Sequence, residues 1–184
     1  MNTSRPALFL DRDGVVNRNH GYVFEITNFE FYIEIFEICR IAQDAKMPIL
    51  IVTNQSGLGR GYYTEDDYLL LTDWMIAEFN RQGIEIARVL YAPENPEAKA
   101  SSVPGRRKPS PAMILEAADE FDINVVDSIL IGDKESDMIS AQRGGISHRI
   151  LIGTDVGTTV ASVIVENHLQ CIEVVADIVT RIQE

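Results

Sequence analysis

Leu8-Phe9-Leu10-Asp11-Arg12-Asp13-Gly14-Val15-Val16-Asn17 is the stretch on which the reading of this chain turns. A short apolar run stops, and two carboxylates follow one residue apart, before a glycine. With Ala7 to Leu10 as a strand, Asp11 leaves at its carboxyl end and Asp13 stands just past it, on the same rim. In open α/β sheets the ligand crevice lies outside the carboxyl ends of the strands. Carboxylates this close repel each other, so one binds a proton more tightly or the pair holds a cation. The pattern favours Asp11 as nucleophile, Asp13 as general acid and base, and both as aids in holding Mg²⁺. A strand closing in an Asx-type turn would also place Asp and Gly here. An EF-hand loop does not fit, because Val15 and Val16 stand where oxygen ligands are needed and no Glu closes the loop.

The whole composition bounds the alternatives. A chain of 184 residues with 46% hydrophobic content suits one domain with an ordinary core. No apolar run approaches the ~18 residues of a membrane span. Met1 to Pro6 is polar and shows no secretory signal. Cys39 and Cys171 lie far apart in apolar-patterned segments and read as buried free thiols. A cytoplasmic setting is expected, without a membrane partner. The net charge of −12 argues against nucleic acid, whose phosphates would be repelled. A small anionic substrate stays possible where local cations or a metal offset the field.

Outward from the first stretch, polar clusters keep recurring at the ends of apolar runs. Asn17 to Ile26 reads as loop, with His20 as a candidate substrate contact. Phe29 to Tyr32 reads as a short extended piece, and 33–46 has helical apolar spacing. Met47 to Val52 is a continuous apolar run, the mark of a parallel strand buried on both faces. It ends in Thr53-Asn54-Gln55-Ser56-Gly57-Leu58-Gly59-Arg60-Gly61, where hydroxyl, amides, glycine N–H groups and one Arg would suit a phosphate. A glycine-rich loop without a ligand is the plainer alternative.

Thr64 and Asp67 read as the capping box of a helix that runs to about Arg81, with Gly83 at its stop. Trp74 reads as packing. A strand over 87–91 leads into a Pro-, Ala- and Ser-rich loop that ends in Arg106-Arg107-Lys108-Pro109. Three consecutive cations in an acidic chain are either a solvated turn or a device that brings Lys to a phosphate and Arg to the substrate body. Ser110 and Pro111 read as N-cap and N1 of a helix to about Phe121.

A strand over 128–131 ends in Gly132-Asp133-Lys134-Glu135-Ser136-Asp137. Asp133 reads as a metal ligand. Asp137, one turn along, would orient the metal shell or Lys134, or would serve only the helix dipole. A fifth strand over 148–152, a loop over 153–159 and a helix over 169–182 complete the chain. His148 and His168 read as structural. Strands alternating with helices predict an α/β fold, a Rossmann-like parallel sheet covered by helices on both faces.

Four strand-end clusters stand in one order: Asp11-x-Asp13-Gly14, Thr53-Asn54-Gln55, Lys108-Pro109 and Gly132-Asp133-x-x-x-Asp137. Together they resemble the haloacid-dehalogenase (HAD) phosphatase superfamily over essentially the whole chain. Asn17, Gly21-Tyr22, Arg60-Gly61, Arg107 and Lys134 narrow the resemblance to the D,D-heptose 1,7-bisphosphate 7-phosphatases, members with a minimal cap. Histidinol-phosphate phosphatases are their close relatives. The resemblance implies that Asp11 attacks phosphorus, and that Asp13 protonates the leaving oxygen and then activates water. Mg²⁺ would be held by Asp11, the Asp13 carbonyl and Asp133. Thr53, Asn54 and Lys108 would bind the transferring phosphoryl group. Gln55, Arg60 and Arg107 would bind the rest of a small phosphorylated sugar, with Lys134 and Asp137 in support.

One departure is plain. The family usually carries a structural zinc held by Cys and His in the loop before Arg-Lys-Pro. The corresponding positions here are Ala92, Glu94, Pro104 and Arg106, and no Cys or His lies from 92 to 106. Zinc is therefore predicted absent. The Thr53–Gly61 stretch also resembles polynucleotide 3′-phosphatases, but the acidic balance argues against DNA. A histidinol-phosphate or other small-metabolite phosphatase is the alternative enzyme, and an inactive binding module is the alternative class. A monomer is expected for want of an interface stripe.

Overall fold

The apolar runs that precede each polar cluster are short and rich in Ile, Val and Leu, and they form strands. The computed structural model describes residues 4–98, 105–154 and 157–184. In chain order the elements are β1 (Leu8–Leu10), α1 (Ile35–Asp44), β2 (Ile49–Asn54), α2 (Ser56–Arg60), α3 (Glu65–Arg81), β3 (Ile86–Ala92) and α4 (Ala112–Phe121). Then come β4 (Ile129–Gly132), α5 (Glu135–Arg143), β5 (His148–Ile152), β6 (Val163–Val165) and α6 (His168–Gln183). The six strands form one sheet in the order β3-β2-β1-β4-β5-β6, and every pairing is parallel. The expected α/β architecture holds.

β1 sits in the middle of this sheet, with Leu8 opposite Ile49 on one side and Ile129 on the other. Alternate residues of each central strand feed two separate cores, since strand side chains point to opposite faces in turn. Leu8, Leu10, Ile49, Ile51, Ile129 and Ile131 pack with α1, α3 and α6 on one face. Phe9, Leu50, Val52 and Leu130 pack with α4 and α5 on the other. Each such fully buried aliphatic side chain contributes about 1.5–3 kcal/mol. Trp74 packs edge-on against Phe29, with ring centroids 5.6 Å apart. Cys39 and Cys171 are buried free thiols.

Several boundaries differ from the sequence reading, each for a local reason. β6, three residues long, was not expected, because three residues show no period; it pairs with β5 and extends the sheet beyond the loop read over 153–159. α2 occupies five residues of the expected glycine-rich loop and ends at Gly61, whose φ of +72° only glycine adopts without strain. The helix read from Ser110 begins at Ala112, with Pro111 at the N-cap position, and Ser110 Oγ accepts from Ala112 N at 3.3 Å. The Thr64–Asp67 capping box forms as read. Between β1 and α1 the described chain holds one three-residue 3-10 helix, Ile26–Asn28, and no larger folded unit. His168 is buried, donates from Nε2 to the Val15 carbonyl at 2.9 Å and stacks on Tyr32.

Candidate active site

The carboxyl ends of β1, β2 and β4 reach one rim, and the turn before α4 closes it. Asp11 is fixed there by its own N–H, which donates to the Ile131 carbonyl at 2.9 Å. Its carboxylate lies at the floor of a cavity of about 290 Å³. Lys108 Nζ meets three oxygens: Asp11 Oδ1 at 2.8 Å, Asp137 Oδ1 at 2.7 Å and the Val52 carbonyl at 2.7 Å. Two of these contacts are ion pairs with buried carboxylates, and the third is a hydrogen bond to the backbone. Burial alone would lower the Lys108 pKa, but Asp11 and Asp137 outweigh it and hold the charge firmly.

The carboxylates are arranged less comfortably. Asp11, Asp133 and Asp137 each present an oxygen within 4.8 Å of the others. Two ammonium groups, Lys108 and Lys134, face these three acids, which leaves one negative charge over. Burial pushes the Asp11 carboxyl up, Lys108 opposes this and Asp137 adds to it. Burial and then Asp11 raise Asp133 to about 6, although Lys134 Nζ donates to it at 3.1 Å. Such an all-oxygen cluster with surplus charge fits a hard divalent cation. Gly14 makes the fit sterically possible: a Cβ there, at φ +100°, would stand 2.2 Å from Asp133 Oδ2. Asp137 serves twice, since its Oδ2 also accepts from Lys134 N at 3.1 Å and caps α5.

Asp13 is aimed by a different set of groups. Arg12 Nη2 contacts both its oxygens at 2.9 Å, Asn17 Nδ2 donates at 3.1 Å and Gln55 Nε2 at 3.0 Å. Arg12 is 1% exposed and also donates to the Val23 carbonyl at 2.7 Å. Gln55 is itself held, donating to Thr53 Oγ1 at 2.9 Å and accepting from Tyr63 Oη at 2.6 Å. The sequence reading gave Arg12, Asn17 and Tyr63 no role in the site. The signal for Arg12 lay in the Asp-Arg-Asp run itself, because a cation between two carboxylates is a natural partner for one of them.

The remaining expected residues fall into two groups. Asn54 clamps the Lys108 backbone, accepting from its N–H at 2.9 Å and donating to its carbonyl at 3.2 Å. Arg107 lines the cavity, and its Nη1 is buried without a partner. Arg60 is turned away: its guanidinium grips Glu97 with two bonds of 3.1 and 3.0 Å and lies outside the cavity lining. His20 faces Glu30 at 3.3 Å rather than the cavity. At the zinc positions, Ala92 offers no donor and Arg106 is a cation that pairs with Glu116 at 2.7 Å. Pro104 lies outside the described residues. No helix among the described residues is long and apolar enough to cross a membrane.

A parallel sheet with a carboxylate pair at the end of its central strand, and Lys and further Asp converging on it, defines the HAD-like class of hydrolases. The HAD-hydrolase-like family profile matches residues 105–178. The chain is 47% identical over 149 residues to D-glycero-alpha-D-manno-heptose-1,7-bisphosphate 7-phosphatase of Burkholderia mallei, covering 79% of each chain. It is 40% identical over 157 residues to the D-glycero-beta-D-manno-heptose-1,7-bisphosphate 7-phosphatase of Yersinia pestis, covering 84% of each. The D,D-heptose 1,7-bisphosphate phosphatase of B. bronchiseptica, solved with magnesium and phosphate, superposes with a TM-score of 0.81 at 22% identity, over 94% of this chain and 98% of that one. The chain therefore belongs to the heptose-bisphosphate phosphatase family of HAD-like hydrolases, and it is a phosphatase.

Proposed function

We propose that the protein removes the 7-phosphate of D-glycero-D-manno-heptose 1,7-bisphosphate through an aspartyl phosphate on Asp11. The observation that carries the chemistry is the floor of the cavity: the Asp11 carboxylate, buried, 2.8 Å from Lys108 and within 4.8 Å of Asp133 and Asp137. The reading of the substrate is supported by the names of the curated relatives and by Arg107, a cation that lines the cavity and suits a second anionic group.

The reaction then runs in two halves. An oxygen of Asp11 attacks phosphorus while the bond from phosphorus to the sugar oxygen breaks. Asp13 gives its proton to that leaving oxygen. Water, losing a proton to Asp13, next attacks the phosphorus of the aspartyl phosphate and frees both inorganic phosphate and Asp11. Lys108 would turn one N–H from its present oxygen partners to a phosphoryl oxygen beside Asp11, with Thr53 and, through its clamp on the Lys108 backbone, Asn54 in support. Asp11 and Asp133, with the Asp13 carbonyl, would hold Mg²⁺, which when bound neutralises charge on the transferring group. Splitting the step through a carboxylate and offsetting charge are what so slow a hydrolysis needs.

This reading has the protein act as a cytoplasmic monomer without nucleic-acid or membrane partners and without structural zinc. Its test is phosphate release with Mg²⁺ from both anomers of the heptose bisphosphate, from histidinol phosphate and from fructose 1,6-bisphosphate. A clear kcat/KM preference for one heptose anomer is expected. Flat, low activity across all four would overturn the heptose assignment.

A further inference from the structure

We infer that Glu94 is a positioning residue for Arg107, a carboxylate clasp that stands where the family's zinc positions are. This rests on the reading of Arg107 as the group that holds the substrate's second anion. Glu94 follows β3, and Arg106 immediately precedes Arg107, so the two ends of one long loop meet. Glu94 Oε1 accepts from the Arg106 N–H at 2.5 Å, across twelve residues of chain. Two residues further on, Asn54 holds both the N–H and the carbonyl of Lys108. Arg107 is thus the one residue between two backbone clamps, and it lines the cavity.

Glu94 is well seated for this task. Gln55 N donates to the Ala92 carbonyl at 2.8 Å and Gly59 N to the Pro93 carbonyl at 3.1 Å. The approach is close: a Cβ at Gly59 would stand 2.4 Å from the Pro93 oxygen. The clasp therefore ties Arg107 to the Thr53–Gly61 stretch that also carries Asn54 and Gln55. The second oxygen, Oε2, is buried without a partner. A buried, half-satisfied carboxylate is costly to keep, which packing alone does not require. Glu94 and Arg106 occupy two of the four zinc positions, and a direct carboxylate-to-amide bond joins them.

The test compares the Mg²⁺-loaded wild type with Glu94→Ala and Glu94→Gln. Each is assayed on the heptose 1,7-bisphosphate and on p-nitrophenyl phosphate, which has no second phosphate. Glu94→Ala is expected to raise KM for the bisphosphate about tenfold, the scale of one charge-assisted bond, with kcat within about twofold and no change for p-nitrophenyl phosphate. Glu94→Gln keeps an acceptor oxygen and is expected to recover most of the loss. Trypsin supplies a readout free of activity: release of the clasp is expected to speed cleavage after Arg106 and Arg107, read by mass. Unchanged KM with unchanged cleavage would overturn the clasp, as would an equal loss of kcat on both substrates. A wild type that ignores the bisphosphate but cleaves p-nitrophenyl phosphate would overturn the substrate assignment, while the cleavage rates would still decide the clasp.

Discussion

The floor and the rim of this cavity are built on different principles. On the floor, Asp11 just past β1, Asp137 in the first turn of α5 and Lys108 in the turn before α4 are buried and bond mainly to each other. On the rim, Arg107 waits with an unpartnered nitrogen, while Arg60 is occupied by an exposed glutamate. Asp11 and Asp137 stand on elements packed in the core, and Lys108, in a turn, is tied to them by ion pairs and to β2 by Asn54 and the Val52 carbonyl. On the proposed reading, the chemistry falls to the most deeply buried groups and the choice of substrate to groups nearer the surface.

The contrast is broken most severely on the floor. Asp11→Asn is expected to lower turnover by at least about 10⁴-fold, as loss of a nucleophile does, with the circular dichroism spectrum unchanged. Next is Lys108→Met, which leaves Asp11 and Asp137 as buried, uncompensated charges. Removing one partner from such a pair costs about 3–5 kcal/mol, so a lower unfolding midpoint in denaturant should accompany the loss of activity. Adding Asp137→Asn should return part of the stability and none of the turnover.

Gly14→Ala comes third. Its Cβ would displace Asp133, so the Mg²⁺ concentration for half-maximal activity should rise about 10–100-fold. A smaller effect concerns pH. The folded-state pKa of Asp133 is raised to about 6, above its value of about 3.9 in the unfolded chain. The folded chain holds this proton more tightly. The ionised carboxylate thus weakens the ion-free fold increasingly from about pH 4 to pH 6, and fully above that. A cation relieves the penalty, so the rise in Tm on adding Mg²⁺ should be larger near neutral pH than near pH 5. The smallest effect is expected on the rim at Arg60. Arg107→Ala should raise KM for the bisphosphate about tenfold, whereas Arg60→Ala, losing an exposed pair, should change it less than about threefold.

The sequence disclosed the floor better than the rim, and for a physical reason. Short, β-branched runs such as Ile49 to Val52, closed by turn residues, read as strands buried on both faces, and a polar residue directly after such a run then lies at a strand end. Asp11, Thr53 and Asp133 were legible on that ground alone. What spacing cannot show is which polar groups choose each other once they meet. Asn54 reads as a phosphate ligand by its neighbours, yet its amide is spent on the Lys108 backbone. Arg60 reads as a substrate contact, and Glu97, 37 residues away, holds it instead. Arg12 is half legible: the Asp-Arg-Asp run pairs it with a carboxylate, but only the folded chain buries it and adds the Val23 carbonyl. β6 was missed because three residues carry no period.

The place of β1 between β2 and β4 has a consequence in time. Asp11 is made before either flank of its strand, some forty residues ahead of one and some hundred and twenty ahead of the other. The groups that meet the Asp11 carboxylate are therefore younger than Asp11 itself, and Asp137 is the last of them to be synthesised. A chain halted before α5 would carry Asp11 and Lys108 without the acid that shares the ammonium. The buried cluster around the ammonium is therefore complete only once Asp137 has been made and α5 has folded against β4.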